Sequence, residues 1–253
     1  MDHAALLDLA TRLARDAGAA INAVRAAGFA VERKRDHSPV TVADRIAEAL
    51  IVEGLRDATP DIPVVAEEAE EAGAGMVASA RYWLVDPLDG TREFTAGRDS
   101  FAVCIGLVEN GRPVLGAVAL PAHAEVFSGI IGVGAWKTAG GVRAPIAARR
   151  IPAEGATVMA SHHHATDQRI ADFVAARRVA KIIHIGSAEK FCRVAEGAAD
   201  LYPRFGTTME WDTAAAEALV LAAGGTMADW DGAAMRYGKP GWRNPGFLVT
   251  GAP

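Results

Sequence analysis

Leu6, Leu9, Leu13, Ala17, Ala20, Ile21 and Val24 recur at helical spacing, which predicts a long amphipathic helix over residues 3–27. A second helix is expected over residues 41–58, stopped by Thr59-Pro60. Shorter apolar runs then predict strands at residues 64–65, 82–85, 101–108, 114–120 and 125–131. Glu109-Asn110-Gly111-Arg112 joins two of these as a hairpin. Gly132-Val133-Gly134-Ala135-Trp136 contains Gly-x-Gly without the full dinucleotide fingerprint and reads as hairpin chemistry. After residue 145 the pattern resumes with a strand at 157–160, a helix at 167–176, a strand at 181–185 and helices at 188–196 and 213–223. There is no internal repeat and no low-complexity linker. The pattern is α/β (α+β), helix pairs layered with sheets, with an N-terminal lobe over 1–144 and a C-terminal lobe over 145–253.

Composition sets limits on this picture. A chain of 253 residues, 51% hydrophobic, can bury a large core as one domain or two closely packed lobes. A net charge of −5 offers no general basic surface to a nucleic-acid polymer, so any nucleotide it handles is a small molecule in a pocket. Cys104 and Cys192 lie in apolar or helical segments and read as free buried thiols of a reducing cytoplasm. The N-terminal segment, interrupted by Arg12 and Arg15, reads as neither signal peptide nor membrane span.

The chemistry concentrates in Trp83-Leu84-Val85-Asp86-Pro87-Leu88-Asp89-Gly90-Thr91. An apolar strand entering an Asp-Pro turn delivers Asp86 and Asp89 to one point, beside the amides of Gly90 and Thr91. Hard oxygen ligands next to free amides suit a divalent cation holding a phosphate. Taken alone, Asp-Pro and Asp-Gly are ordinary turn dipeptides. Three other acidic points accompany them. Glu67-Glu68 ends a short strand, or is solvated surface charge. Asp44 opens a helical segment, where it also fits a capping box with Thr41. Asp212, in Glu210-Trp211-Asp212-Thr213, opens another and also fits a plain N-cap.

Together these segments resemble the inositol monophosphatase superfamily of magnesium-dependent, lithium-sensitive phosphatases. Its order of motifs is a Glu-Glu after a strand, an Asp-Pro-(Ile/Leu)-Asp-Gly-Thr run and a Trp-Asp opening a late helix, and here they span about residues 34–247. Within the superfamily the chain is most similar to the 3′(2′),5′-bisphosphate nucleotidase (CysQ-type) branch. The residues that carry this are Gly186-Ser187-Ala188-Glu189-Lys190-Phe191-Cys192-Arg193-Val194-Ala195-Glu196-Gly197, Leu201-Tyr202-Pro203-Arg204-Phe205-Gly206 and Asn244-Pro245-Gly246-Phe247. Asp89-Gly90-Thr91-Arg92-Glu93-Phe94 fits as well, with Arg92 where Lys is more usual. Inositol-preferring members carry an acid seven positions before the late metal-binding Asp; that position is Phe205 here.

The resemblance implies the layered α/β/α/β/α sandwich of the inositol monophosphatase and fructose-1,6-bisphosphatase type. It implies Mg²⁺, as two or three ions, and inhibition by Li⁺. Glu67, Asp86 and the Leu88 carbonyl would hold one ion, and Asp86, Asp89 and Asp212 a second. Thr91 and Asp44, with Glu67, would orient the attacking water. Leu88, Asp89, Gly90, Thr91, Ser161, Ser187, Lys190, Arg204 and Asp212 would meet the substrate, with Lys190, Arg204 and Arg92 the candidates for a second phosphate. For these cations plain surface exposure is the alternative. Lys34 is a further phosphate candidate, although it stands beside Arg33 and Arg35 as exposed lysines do. His162-His163-His164 lies beyond a strand, where three consecutive side chains cannot easily converge on one ion.

The expected activity is hydrolysis of adenosine 3′,5′-bisphosphate to AMP and phosphate. The alternatives are an inositol-1-monophosphatase or related sugar-phosphate phosphatase, and a non-enzymatic phosphonucleotide or metal sensor. A sensor would be marked by a missing metal ligand, and none is missing. The expected partners are a small phosphorylated nucleotide and no nucleic-acid polymer, with the chain a cytoplasmic monomer or homodimer without a transmembrane segment. The resemblance adds peripheral contact with the inner face of the cell membrane.

Overall fold

A computed structural model describes residues 1–33, 39–76, 79–162 and 167–253. Helix α1 (His3–Ala27) starts at Asp2, whose side chain accepts the Ala5 amide at 2.8 Å, and ends at Gly28. The pair β1 (Val31–Arg33) and β2 (Pro39–Thr41) leads into α2 (Val42–Ala58), capped by Thr41. Both helices lie on one face of a seven-stranded sheet. Its strands, in spatial order, are β3 (Val64–Ala66), β4 (Arg81–Asp89), β5 (Ala102–Glu109), β6 (Arg112–Leu120), β7 (Glu125–Ile130), β8 (Gly134–Ala139) and β9 (Val142–Ile146). Only β3 and β4 are parallel; the others form an antiparallel meander. Asn110 and Gly111, both at positive φ, make the expected hairpin between β5 and β6. Strand β9 runs across the position expected to divide the lobes.

Alternation along the strands sorts side chains into layers. Trp83, Val85, Val103 and Ile105 meet Leu6, Leu13 and Ile21 of α1 and Ile51 of α2. Tyr82, Leu84, Cys104 and Val118 face the other way, onto α6 (Glu189–Ala195) and α7 (Glu210–Ala222). Beyond those helices lies a five-stranded sheet in the order β11 (Val179–His184), β10 (Ala156–Ala160), β12 (Leu201–Arg204), β16 (Phe247–Thr250) and β14 (Thr226–Asp229). Tyr202, Phe247 and Val249 point inward from it. On its outer face Val158 and Leu201 meet Phe173 of α5 (Gln168–Ala175). The result is the α/β/α/β/α sandwich.

Three glycines set the spacing of the middle layer. Gly106, Gly116 and Gly129 are direct cross-strand partners on β5, β6 and β7. A Cβ on Gly116 would lie 2.2 Å from the Ala215 carbonyl oxygen, and one on Gly106 2.7 Å from the Ala215 nitrogen. The row is a groove into which the backbone of α7 sinks.

Several expectations change. The strand expected to stop at Val85 continues to Asp89. Glu67 opens a short helix, α3 (Glu67–Glu71), and Thr91 another, α4 (Thr91–Thr95). Helix α7 begins at Glu210, so Asp212 is its third residue rather than its N-cap. Strand β12 was not anticipated because Pro203 argues against a central strand. The proline is tolerated because the described pairing of β10 with β12 is Val158 against Leu201, before Pro203 is reached. No helix among the described residues is long and apolar enough to cross a membrane.

Candidate active site

The centre of the site is an irregularity in β4. Asp86 lies opposite Cys104 and Asp89 opposite Ala102, so three steps on β4 match two on β5. One residue is extra, which makes a β-bulge. In a regular strand residues three apart point to opposite faces. Here both carboxylates share the face of Cys104 and Ala102, toward the middle helices, while Leu88 packs into the core on the opposite side. Pro87 occupies the bulge, a position where a strand accepts it. The Leu88 amide donates to Asp86 Oδ1 at 3.0 Å, and the Leu88 carbonyl accepts from Thr91 Oγ1 at 3.0 Å. Gly90 then turns left-handed at φ +91. A Cβ there would come within 3.1 Å of the Ser100 carbonyl and the Ser187 side chain, so this turn requires glycine.

Two helix starts bring further acids. Asp44 is the third residue of α2 and is 1% exposed. Its Oδ2 accepts from the Thr41 amide at 2.7 Å and the Thr41 hydroxyl at 2.8 Å, while Thr91 Oγ1 shares its one proton between Oδ1 and the Leu88 carbonyl, each at 3.0 Å. The capping role and the contact with Thr91 are served by different oxygens of one carboxylate. Asp212 sits at the same position of α7 and accepts the Met209 amide at 2.9 Å. Glu67 opens α3 and is hydrogen-bonded to Asp86. Carboxylate oxygens of Glu67, Glu68 and Glu71 lie within 4.8 Å of one another.

The electrostatics of this cluster are unfavourable without a cation. Burial, then the charges of Glu67, Asp89 and Asp212, push the Asp86 carboxyl well above its ordinary range. Burial, then Asp89 and Glu67, does the same to Asp212. Asp89 is pushed up to about 6, chiefly by burial, with Lys190 and the Ala188 amide opposing. Acidic groups that raise one another's pKa form an oxygen-donor set suited to a hard divalent ion.

Beside the carboxylates opens a cleft of about 140 Å³. Of the expected substrate residues, Asp89, Gly90, Ser161, Ser187, Lys190, Arg204 and Asp212 line it. Lys190 is not a surface cation. It is 3% exposed, donates to the Ser187 carbonyl at 2.5 Å and stands 5.1 Å from the Tyr202 ring centre. Burial brings its pKa down to about 8 while Asp89 opposes this. Arg204 is half-buried, and its Nε has no hydrogen-bond partner among the described residues. Arg92 is exposed on α4 and does not line the cleft. Phe205 lies flat against Trp230, ring centres 4.4 Å apart. Lys34, His163 and His164 lie outside the described residues; the His162 ring is 6.4 Å from that of His184. Cys104 and Cys192 are buried free thiols.

One charged lining residue was not anticipated. Glu93 is a buried carboxylate within the Asp89–Phe94 run, on the wall that also carries Lys190. Its signal in the sequence was an acid on a segment already tied to the site.

The sequence profile of the inositol monophosphatase family matches residues 2–250. A Salmonella typhimurium protein, 3′(2′),5′-bisphosphate nucleotidase CysQ, is 45% identical over 248 residues, covering 97% of this chain and 99% of that one. The crystal structure of CysQ from Bacteroides thetaiotaomicron is similar over 98% of both chains, with a TM-score of 0.82 at 33% identity. The Thermotoga maritima IMPase is similar over 96% of this chain and 91% of its own, with a TM-score of 0.80 at 27% identity.

Proposed function

The chain belongs to the inositol monophosphatase family, and on that premise we propose that it is a Mg²⁺-dependent 3′(2′),5′-bisphosphate nucleotidase, converting adenosine 3′,5′-bisphosphate to AMP and phosphate. The observation that carries this reading is the union of two features in one cleft. Asp86 is buried, with Asp89, Asp212 and Glu67 half-buried around it and raising its pKa, and Lys190 and Arg204 stand with Asp89 and Asp212 on the wall of the cleft. Catalysis in this family depends on metal. Glu67, Asp86 and the Leu88 carbonyl would hold one ion, and Asp86, Asp89 and Asp212 another. Bound Mg²⁺ supplies charge neutralisation of the phosphoryl oxygens and an acidified water.

The chain's own groups do the rest. Thr91 Oγ1 donates to Asp44 Oδ1, so its lone pairs are free to accept a hydrogen bond from the attacking water and aim it. As the water oxygen bonds to phosphorus, the bond from phosphorus to the ribose oxygen breaks; one proton of the water stays with the product phosphate and the other ends on the ribose oxygen, which becomes the new hydroxyl. The Gly90 and Thr91 amides bind the phosphoryl oxygens at the start of α4. Lys190, a cation at pH 7 with its pKa near 8, and Arg204 bind the phosphate that does not react. Phe205, packed on Trp230, places no carboxylate where a polyol would need one. The two free thiols suit a reducing cytoplasm.

Phosphate release from adenosine 3′,5′-bisphosphate, its 5′-sulfated analogue and inositol 1-phosphate, measured side by side, tests the assignment. A higher kcat/KM for the bisphosphate than for inositol 1-phosphate is expected, with no activity in chelator. The reverse preference would overturn the nucleotidase reading and leave the metal chemistry standing.

A further inference from the structure

We propose that residues 237–244 form a strap whose Trp242 is a positioning residue: it holds the helix of Glu67 while the rest of the strap holds the helix of Asp212, fixing one acidic element against the other. The inference rests on the metal reading above.

The strap grips the opening of α7 along its whole length. The short strands β13 (Thr208–Met209) and β15 (Arg243–Asn244) pair antiparallel, so the strap runs beside the residues that enter the helix. Glu210, the first residue of α7, is fully buried. It accepts the amides of Gly238 at 2.6 Å and Lys239 at 3.0 Å, and pairs with Lys239 Nζ at 2.6 Å. Asn244 is 1% exposed; its Nδ2 donates to the Met209 carbonyl at 3.0 Å and to Thr213 Oγ1 at 2.8 Å. Its Oδ1 accepts from Lys239 Nζ at 3.1 Å. Polar groups of the strap thus hold Met209, Glu210 and Thr213, the residues on either side of Asp212.

The strap's other contact crosses to α3. Trp242 is 6% exposed and donates from Nε1 to Glu70 Oε2 at 3.2 Å, bridging 172 positions of sequence. Its ring meets Tyr82 of β4 edge-on at 5.9 Å. The side chain is turned inward by two successive left-handed residues, Gly241 at φ +73 and Trp242 itself at φ +55. For a bulky non-glycine residue that conformation costs energy and persists only where surrounding contacts enforce it. Helix α3 needs such a contact. It has five residues, none of them buried, and Ala66 offers no side-chain cap; the Glu68 amide donates to Glu48 Oε2 of α2 at 2.8 Å, and Trp242 holds the helix from the side of α7. A helix so short has little stability of its own.

The test uses the full chain, stripped of metal. Mn²⁺ binding is measured by calorimetry, and the Mg²⁺ needed for half-maximal bisphosphate hydrolysis is measured alongside. Trp242→Phe keeps the ring and removes the donor. It is expected to weaken Mn²⁺ binding about tenfold, the lower end for one hydrogen bond to a carboxylate, and to raise the Mg²⁺ requirement equally. The kcat at saturating Mg²⁺ and the KM for nucleotide should stay within about twofold of wild type. Glu70→Ala should reproduce the shift, and serves where Trp242→Phe does not fold because Glu70 is only half-buried. Glu70→Gln keeps one acceptor where Glu70 offers separate oxygens to the Met76 amide and to Trp242 Nε1, so its affinity should fall between wild type and Glu70→Ala. Unchanged Mn²⁺ affinity in Trp242→Phe or Glu70→Ala would overturn the strap alone, even with a lowered melting temperature. Wild-type protein that takes up no Mn²⁺ would overturn the metal reading and the strap together.

Discussion

Asp86 is under two opposing demands. As the carboxylate shared by both proposed ion sites it is the residue the reaction can least lose, and as a buried acid among acids it works against the metal-free fold. Asp86→Asn is therefore expected to lower kcat by about three orders of magnitude or more, and to raise the melting temperature of the metal-free protein. Retained activity in the variant would remove the two-ion assignment. Li⁺ titrated at fixed Mg²⁺ should inhibit, since a small monovalent ion entering an oxygen site completes its geometry but not its charge balance; turnover unaffected by Li⁺ would contradict this. Lys190→Ala should cost about ten- to a hundredfold in kcat/KM on the bisphosphate, and much less on adenosine 3′-phosphate. Equal losses on both substrates would take Lys190 away from the second phosphate. At this scale the sequence was most legible where the chemistry is local. The residues from Asp86 to Thr91 meet through one bulge and one turn, so their spacing reports their proximity. Lys190 was legible as a candidate but not as a buried group. Its burial comes from the docking of α6 against β12, and no neighbour in sequence reports that.

Among the elements, α7 shows how a helix and a sheet fix each other's position. The row Gly106, Gly116, Gly129 lets the helix backbone approach the sheet, and a methyl group at Gly116 meets backbone rather than a movable side chain. Gly116→Ala is expected to destabilise the fold by about 3 kcal/mol, read as a lower denaturation midpoint at unchanged m-value. Gly54→Ala is the comparison. There the added methyl group meets the Leu13 side chain, which can turn aside, and the loss should be clearly smaller. Equal losses would show that the groove is not what sets the cost. Glycines inside apolar strands do signal a close approach, but not what approaches, so the groove was not readable before α7 was in place. The long helices α1 and α2 were readable because their burial follows a sustained 3.6-residue period. Strands of four residues, such as β12, β14 and β16, carry too few alternations to stand out from loops.

The molecule as a whole is two sheets enclosing a helical layer, and that layer holds acids whose charge the fold resists. Glu217 on α7 is 2% exposed and accepts from the Tyr237 hydroxyl at 2.5 Å. Burial pushes its carboxyl up to about 7, with Tyr237, Arg112 and Lys239 pulling the other way. Because the folded value exceeds the ordinary 4.5, the folded state holds its proton more tightly. Its contribution to stability is full below about pH 4.5 and is lost as pH rises through about 7. Glu217→Gln stays neutral, so its melting temperature should gain on wild type at pH 8 by several degrees, on the order of 3 kcal/mol, and the gain should shrink as pH falls and vanish by about pH 4. An offset independent of pH would remove Glu217 as its source. The alternation of helix pairs with sheets made the layered architecture readable. The five-stranded order β11-β10-β12-β16-β14 was not, because it joins strands far apart in the chain.

The odd residue at Pro87-Leu88 also bears on how this chain tolerates changes in length. Deleting one residue of that pair would leave every acid in the chain and restore an even ladder between β4 and β5. Asp89 would then stand two regular steps from Asp86 and keep to its face, but the backbone that presents the Leu88 amide to Asp86 Oδ1 and the Leu88 carbonyl to Thr91 would be straightened into the ladder. An extra residue at the exposed hairpin of Asn110 and Gly111 lengthens a loop and leaves the cleft alone. Relatives can therefore drift in composition along β4, or gain and lose residues at its far hairpins, and keep the chemistry. Loss of a single residue between Asp86 and Asp89 leaves both acids on one face and takes away the backbone carbonyl turned out between them, which no side chain in the stretch replaces.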